Sequence, residues 1–419
     1  MLQIWQFIFF ALMNRNSKTK QIGLFFKKAI KASKHPSFPK HTFYEFFAGG
    51  GMAKIGLGNE WTCLFANDWC PKKADVYLSN FPKENCFVCE DISKISSQQL
   101  PGRADLMWGS FPCQDLSLAG AGAGLKGARS GTYWAFMRLV KQLDAEKRAP
   151  NFIVLENVIG AITSHKGDDF AAIVKTITEA GYKIGALVAD AALFLPQSRP
   201  RLFFVALRKE CAIPPELEGF EPSDTWHPKN LRNAYQKLPQ SIKENWIWWQ
   251  MPDPPARQAT FSDLIEQKPS DVDWHSHEET QRLINQMSYA NILKLEKEQK
   301  RDRPVVGCIY RRTRNYNSAK VQRAEVRFDG ISGCLRTPAG GSSRQILIFV
   351  KGKQIRSRLL SSREAARLMG VPDSYILPKK YNDAYHVMGD GLAVPVVSWL
   401  ERNILRPLLI TNLLAAKAA

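Results

Sequence analysis

Gly109-Ser110-Phe111-Pro112-Cys113-Gln114 sets a thiol behind a proline, directly after the apolar run Ala104 to Trp108. Taken without its neighbours, a single cysteine reads as a small buried hydrophobe. Read as chemistry, it is a nucleophile that needs activation. An unperturbed thiol of pKa ~8.5 is only a few per cent thiolate at neutral pH, so this reading requires a helix N-terminus or cations close to the sulfur. A carboxylic acid, Glu156, follows the apolar stretch Phe152 to Leu155, and Gln197-Ser198-Arg199-Pro200-Arg201 carries two guanidinium groups at alternate positions. On an extended segment alternate side chains point the same way, which gives Arg199 and Arg201 a common face. A strand-end salt bridge for Glu156 and ion pairing for either arginine are the structural readings of the same residues.

A second group of residues points to a ligand. Phe46-Phe47-Ala48-Gly49-Gly50-Gly51 leads into a helical stretch, and glycines at a strand-to-helix turn let the backbone approach a ligand closely. Asn67-Asp68-Trp69 comes roughly 20 residues later, where nucleotide sites place the carboxylate that accepts from a ribose. Glu90-Asp91-Ile92 ends the next apolar run and is positioned to accept from an adenine amino group. Phe47, Gly49, Gly51, Asp68, Trp69, Asp91 and Ile92 are therefore the candidate cofactor residues. The set fits an adenosine-bearing cofactor, either a dinucleotide or S-adenosylmethionine, and the missing third glycine of GxGxxG argues against NAD.

These residues need elements that hold them, and the apolar pattern supplies them. Short runs at Phe43 to Phe47, Cys63 to Ala66, Phe87 to Val88, Leu106 to Trp108, Phe152 to Glu156, Lys183 to Ala189 and Leu202 to Leu207 alternate with helix-like intervals. That alternation predicts an α/β fold, a doubly wound and mostly parallel sheet with helices on both faces. Ligands bind such sheets outside the carboxyl ends of the strands, and Gly49, Asp68, Asp91, Cys113 and Glu156 each end or follow a run.

After Cys211 prolines and tryptophans cluster and the periodicity is lost. The expected organisation is an extension over 1–39, a catalytic and cofactor-binding domain over 40–210, an irregular α+β domain over 211–374, and a segment over 375–419 that returns to the first domain. The second domain is expected to hold a helix from Glu279 to Arg301 and strands at Val305 to Tyr310, Glu325 to Phe328 and Ile346 to Val350.

Composition narrows the function. With 45% hydrophobic and 23% charged residues the chain is a folded protein and not a disordered one. Its net charge of +19 favours a polyanionic partner. Between Arg301 and Arg367, 16 Lys/Arg stand against 4 Asp/Glu, a net +12, with Tyr310, Tyr316 and Phe328 interleaved. Eight irregularly spaced cysteines form no disulfide framework, and the apolar opening Met1 to Met13 lacks a basic leader and is too short to span a membrane. Cys86-Phe87-Val88-Cys89 and His275-Ser276-His277 lack the further ligands of a zinc site, so no metal is expected.

The order glycine loop, Asp-Trp, Asp-Ile, Phe-Pro-Cys-Gln, Glu-Asn-Val, Gln-Ser-Arg-Pro-Arg resembles the bacterial DNA (cytosine-5) methyltransferases, from about residue 42 to 400. Arg129-Ser130-Gly131-Thr132, Arg358-Leu359, Ser362 to Gly370 and Gly389-Asp390-Gly391 extend the match. The resemblance implies S-adenosylmethionine as cofactor and S-adenosylhomocysteine as product. It makes Cys113 the nucleophile at carbon-6 of cytosine, Glu156 the acid at nitrogen-3, and Arg199 and Arg201 the pair that holds the base oxygen and orients Glu156. The cytosine must be flipped out of the duplex, and the basic second domain lies where the family keeps its target-recognition region. Within it Leu335 to Gln345 reads as a DNA-contacting loop or as a plain turn, with Arg336, Arg344 and Gln345 the candidate contacts.

The expected protein is thus a monomeric, cytoplasmic bacterial enzyme that acts on double-stranded DNA and pairs with a restriction endonuclease. An RNA cytosine methyltransferase and an inactive DNA-binding regulator are the alternatives. Two departures stand out: Asp390 replaces the usual Asn beside the cofactor and cannot donate as an amide does, and Asp68 replaces the commoner glutamate.

Overall fold

The computed structural model describes residues 40–111, 131–316, 319–337 and 344–418. Cys113, the expected extension over 1–39, Arg129-Ser130 and the Pro338 to Ser343 part of the expected DNA loop lie outside the described residues. Each apolar run of the first half forms a strand: β1 (His41–Phe46), β2 (Trp61–Asp68), β3 (Phe87–Cys89), β4 (Leu106–Gly109), β5 (Phe152–Val158), β6 (Tyr182–Asp190) and β7 (Pro200–Arg208). They make one seven-stranded sheet in the order β3-β2-β1-β4-β5-β7-β6.

The runs are continuous because both faces are covered. Phe43, Trp108 and Val154 enter one core, while Tyr44, Met107 and Ile153 enter the other, as the two-residue alternation of strands requires. The winding reverses at β1 and β4, which pair in parallel from Phe43↔Leu106 to Phe46↔Gly109. This is the switch point at which such sheets bind ligands. The glycine loop leaves β1 there, and Ser110-Phe111 leaves β4 beside it.

One strand departs from the expected parallel pattern. β7 runs antiparallel to both β5 and β6, with Val158↔Arg201 and Asp190↔Pro200 in register. Its first residues, not its last, therefore lie at the carboxyl edge of β5. Alternating hydrophobicity carries no information about strand direction, so the sequence did not reveal this.

A second sheet, in the order β11-β10-β12-β13, comprises β10 (Val305–Tyr316), β11 (Ala319–Arg327), β12 (Ile346–Lys351) and β13 (Gln354–Leu359). A short pair, β8 (Glu218–Gly219) and β9 (Trp248–Trp249), precedes it. The helix expected from Glu279 to Arg301 is two helices, His277–Asn285 and Tyr289–Gln299. The break arises because the Gln286 carbonyl accepts from Ala324 N (3.1 Å) and Met287 bridges to Ala324, so the backbone turns to meet β11.

At the end of the chain, helices Val394–Leu400 and Arg406–Ala418 flank a π turn, Glu401–Leu405. Val394–Leu400 packs on helix Met52–Leu57, where a Cβ on Gly56 would lie 2.4 Å from that of Val397. Ser398 Oγ donates to Gly56 O (2.8 Å), and Trp61 Nε1 donates to Glu401 (3.2 Å). Thr42–Ala419 forms a single compact unit. Among the described residues no helix is long and apolar enough to cross a membrane.

β1 also buries an acid. Glu45 is 1% exposed, its Oε2 accepts no hydrogen bond, and burial pushes its carboxyl up to about 8 against the pull of Lys54. The folded protein then keeps a proton that the unfolded chain has lost, so this group penalises the native state increasingly as pH rises from about 4.5 towards 8. Glu45→Gln is expected to raise the unfolding free energy by about 1–3 kcal/mol at pH 8 and to change it little at pH 4.5, measured by urea denaturation at both values.

Candidate active site

The glycine loop is built by left-handed backbone. Phe47 (φ 58°), Gly49 (φ 56°) and Gly51 (φ 79°) all adopt positive φ. Gly51 must lack a side chain, since a Cβ would strike the Phe81 ring at 2.4 Å. At Gly49 the reason differs: nothing lies within 4 Å of where its Cβ would be, so the backbone there faces open space.

Asp68 braces this loop. It is buried, and its two oxygens accept from Gly49 N (3.0 Å) and Cys70 N (2.9 Å). Its neighbour Asn67, which the sequence reading did not single out, donates to Val88 O and Glu90 O (2.9 and 2.8 Å) and so joins the ends of β2 and β3. Of the remaining cofactor candidates Trp69 is 71% exposed, and Asp91 is exposed, accepting from Ser93 N (2.8 Å). Phe47 is partly buried against the core, and Ile92 turns its side chain fully into that core.

At the neighbouring strand ends, β4 and β5 hold the reaction candidates. Glu156 is 8% exposed, and Arg201 Nε lies 3.0 Å from its Oε1. Burial raises the Glu156 pKa, while Arg201, Arg199 and a hydrogen bond from Ser110 pull it back. The outcome is an acid that holds its proton more tightly than an ordinary glutamate, beside a fixed positive charge. Ser110 is held in turn by Trp108 Nε1 (3.1 Å), and Asn157 donates to Phe111 O (3.3 Å). Two side chains thus fix the backbone that runs into Pro112-Cys113.

Arg199 takes a different course from Arg201. It is 2% exposed, with Nη1 donating to Leu335 O (2.8 Å) and Nη2 to Gly389 O and Gly391 O (2.8 and 2.7 Å). The shared face expected from alternation places both guanidinium groups near Glu156, but only Arg201 pairs with it directly. Gln197, fully buried, adds to the Arg199 tether: its Oε1 accepts from Leu335 N (3.1 Å) and its Nε2 donates to Leu368 O (2.6 Å).

Cys334 was not anticipated. It lies 3.5 Å from Arg199 Nη1; burial works against its ionisation, yet Arg199, Arg201 and Arg336 draw its pKa below the ordinary thiol value.

Gly389-Asp390-Gly391, where helix Tyr381–Asp390 ends, is wedged between two candidate segments. A Cβ on Gly389 would meet the Arg336 backbone at 2.6 Å, and one on Gly391 would meet Met52 Sδ at 2.2 Å. Asp390 itself pairs with Lys73 (2.8 Å). Lys73 also feels Asp68 and stays charged despite its burial. A cation therefore compensates the carboxylate that stands where an amide was expected.

The three DNA candidates separate. Arg336 is exposed. Arg344 donates to Asn382 (2.5 Å), and Gln345 is buried, its backbone N donating to Tyr385 Oη (3.0 Å). Among the described residues no group of three or more His, Cys, Asp or Glu is arranged to hold a metal.

The sheet order and the glycine loop at its switch point define a Rossmann-like methyltransferase fold. Solved structures share it: the S. pombe Dnmt2 methyltransferase (TM-score 0.55, 17% identity, 88% of this chain and 99% of that one) and the Entamoeba histolytica methyltransferase EhMeth (TM-score 0.52, 16% identity, 88% and 98%). Residues 41–406 match the C-5 cytosine-specific DNA methylase family, and the chain belongs to it.

Its relatives include the Type II methyltransferases M.BsuFI of Bacillus subtilis (26% identity, 90% of this chain and 76% of the relative) and M.SsoII of Shigella sonnei (24%, 93% and 88%). M.HhaI of Haemophilus parahaemolyticus is a third (23%, 86% and 93%).

The position of Arg199 implies that hydrogen-bond geometry, not charge alone, is what the protein needs from it. Arg199→Lys, which keeps the charge but not the fork, is expected to cost about 2–4 kcal/mol in unfolding free energy, nearly as much as Arg199→Gln, measured from urea midpoints.

Proposed function

We propose that this protein transfers a methyl group from S-adenosylmethionine to carbon-5 of a cytosine in duplex DNA, through a covalent bond between Cys113 and carbon-6. It does so as the modification enzyme of a restriction system. The observation that carries the reading is Glu156, a buried acid with a raised pKa and a guanidinium 3.0 Å away, on the strand beside the one that leads to Cys113. Family membership and relatives named as Type II methyltransferases support the class of substrate and the restriction context.

The residues at the switch point fit the cofactor. Gly49 offers backbone to open space, Asp68 stiffens the loop, and Trp69 and Asp91 are exposed beside it. When bound, S-adenosylmethionine supplies a methyl group on a positively charged sulfur.

The chain supplies the rest. Carbon-5 of cytosine is too electron-poor to accept a methyl group until a nucleophile adds at carbon-6. The Cys113 thiolate forms that carbon–sulfur bond as the ring electrons move to nitrogen-3, where Glu156 donates its proton. Arg201 holds Glu156 in place and faces the base oxygen. Once carbon-5 has taken the methyl group, loss of its proton re-forms the double bond and expels the thiolate, and nitrogen-3 returns its proton to Glu156. Flipping the base costs a few kcal/mol, which binding to the basic surface offsets.

Bisulfite sequencing of DNA from cells that express the chain tests this directly and gives the recognition sequence. Converted cytosines throughout, with methyl transfer only to tRNA in vitro, would overturn it. Glu156→Gln is expected to lower the single-turnover rate about 10²- to 10⁴-fold while DNA affinity changes little. A duplex with 5-fluorocytosine at the target is expected to trap wild-type protein in a denaturation-resistant complex, because fluorine blocks the final elimination. Cys113→Ser protein should form none, as read by gel electrophoresis.

A further inference from the structure

An acid that must hand its proton to a substrate has to be kept from sharing it with the protein. On the strand beside Glu156 two side chains bear on that requirement. β4 and β5 pair in parallel from Leu106↔Phe152 to Gly109↔Leu155, so the next step along both chains sets Ser110 beside Glu156. Trp108 lies two residues before Ser110 and so on the same face. It is fully buried, its ring set edge-on to Phe203 of β7, and Phe203 is itself the register partner of Glu156. From that fixed position Trp108 Nε1 lies 3.1 Å from Ser110 Oγ.

The direction of each hydrogen bond follows from the groups themselves. An indole N–H only donates, so Ser110 Oγ accepts from Trp108. That contact turns the hydroxyl proton away from the indole and leaves it for the Glu156 carboxyl, to which Ser110 hydrogen-bonds. Arg201 Nε, 3.0 Å from Oε1, is a donor with no acceptor capacity. Arg199, whose charge also acts on this carboxyl, has none either. The groups on β4 and β7 that bear on Glu156 thus offer it protons and take none. Without Trp108 the hydroxyl would be free to rotate and accept the Glu156 proton itself.

We propose that Ser110 is a positioning residue for the proton transfer: Trp108 orients its hydroxyl as a donor to Glu156, which leaves the Glu156 proton for nitrogen-3 of the base. This rests on the reading that Glu156 is the acid. As the Glu156 O–H bond breaks and the N–H bond at nitrogen-3 forms, the new carboxylate keeps hydrogen bonds from Ser110 and Arg201. The return of the proton at the end of the cycle reverses the step.

The consequence is read in a pH profile. A donor to the carboxylate favours the ionised form, so its removal makes Glu156 hold its proton to higher pH. Single-turnover methyl transfer to a duplex with the site found by bisulfite sequencing is measured from pH about 6 to 10, where the rate falls on the alkaline side as the acid is lost. Ser110→Ala is expected to lower the plateau about 10-fold and to move the alkaline limb up by about one pH unit. Trp108→Phe keeps the hydroxyl but frees it to turn, and should move the limb the same way by less. Ser110→Thr restores the donor and should bring the limb back to its wild-type position. Because Cys334 titrates nearby against Arg199, the series is repeated in Cys334→Ala protein.

Thermal midpoints and S-adenosylhomocysteine affinities equal to wild type show that the variants are folded. A merely structural loss at Ser110 would scale the whole profile and leave the limb where it is, and that result overturns the proposal. So does a Ser110→Ala protein with the wild-type profile. Glu156→Gln protein that transfers methyl groups at the wild-type rate overturns the reading of Glu156 and the proposal with it.

Discussion

A single buried guanidinium joins the parts of this enzyme that must act together. Removing a charge from water costs several kcal/mol unless hydrogen bonds replace the lost solvation. Arg199 receives that replacement from three backbone carbonyls, Leu335, Gly389 and Gly391, at 2.7–2.8 Å. The carbonyls belong to two segments far apart in sequence. One continues into the exposed Arg336, and the other packs against Met52 at the start of the helix that follows the glycine loop. The glycine loop, the Gly-Asp-Gly helix end and the candidate DNA segment thus share one electrostatic anchor. A lysine, with a point charge on a flexible stem, would not span the same three acceptors.

From that anchor the electrostatics of the site follow. Arg201 lies one extended repeat beyond Arg199 and meets Glu156, whose burial would otherwise raise its pKa further. The antiparallel run of β7 makes this possible, because it brings the beginning of that strand to the carboxyl ends of β4 and β5. The same cluster lowers the pKa of Cys334, and Arg199 within it donates to the Gly389 and Gly391 carbonyls. Lys73 compensates Asp390. A carboxylate in place of an amide is then an altered contact within a balanced set of charges, not an unpaired one.

How much was legible in the sequence can be followed residue by residue. The strands were readable because sheet residues covered on both faces leave continuous apolar runs, and Gly49, Asp68 and Glu156 were singled out as candidates because ligand sites follow such runs. Gln197, Asn157 and Ser110 do as much to position the site, but their roles consist of hydrogen bonds to distant backbone, which leave no local pattern. Gln345 was read as a DNA contact from its place beside a glycine-rich, arginine-rich loop. Its burial against Tyr385 depends on packing that its neighbours in sequence do not encode. The break at Gln286 to Ser288 was likewise hidden, since the residues are helix-compatible and only the approach of β11 diverts the backbone.

By itself the sequence determined the fold class, the family resemblance and the identity of the chemical groups, because these depend on residue type, order and spacing along the chain. Tertiary structure alone decided that β7 runs against its neighbours, that Arg201 meets Glu156 while Arg199 ties three carbonyls, and that Gln345 is buried beside Tyr385. These depend on strand direction, register and burial. All three are set by how distant segments pack, and a hydrophobic pattern of period two is the same whichever way its strand points.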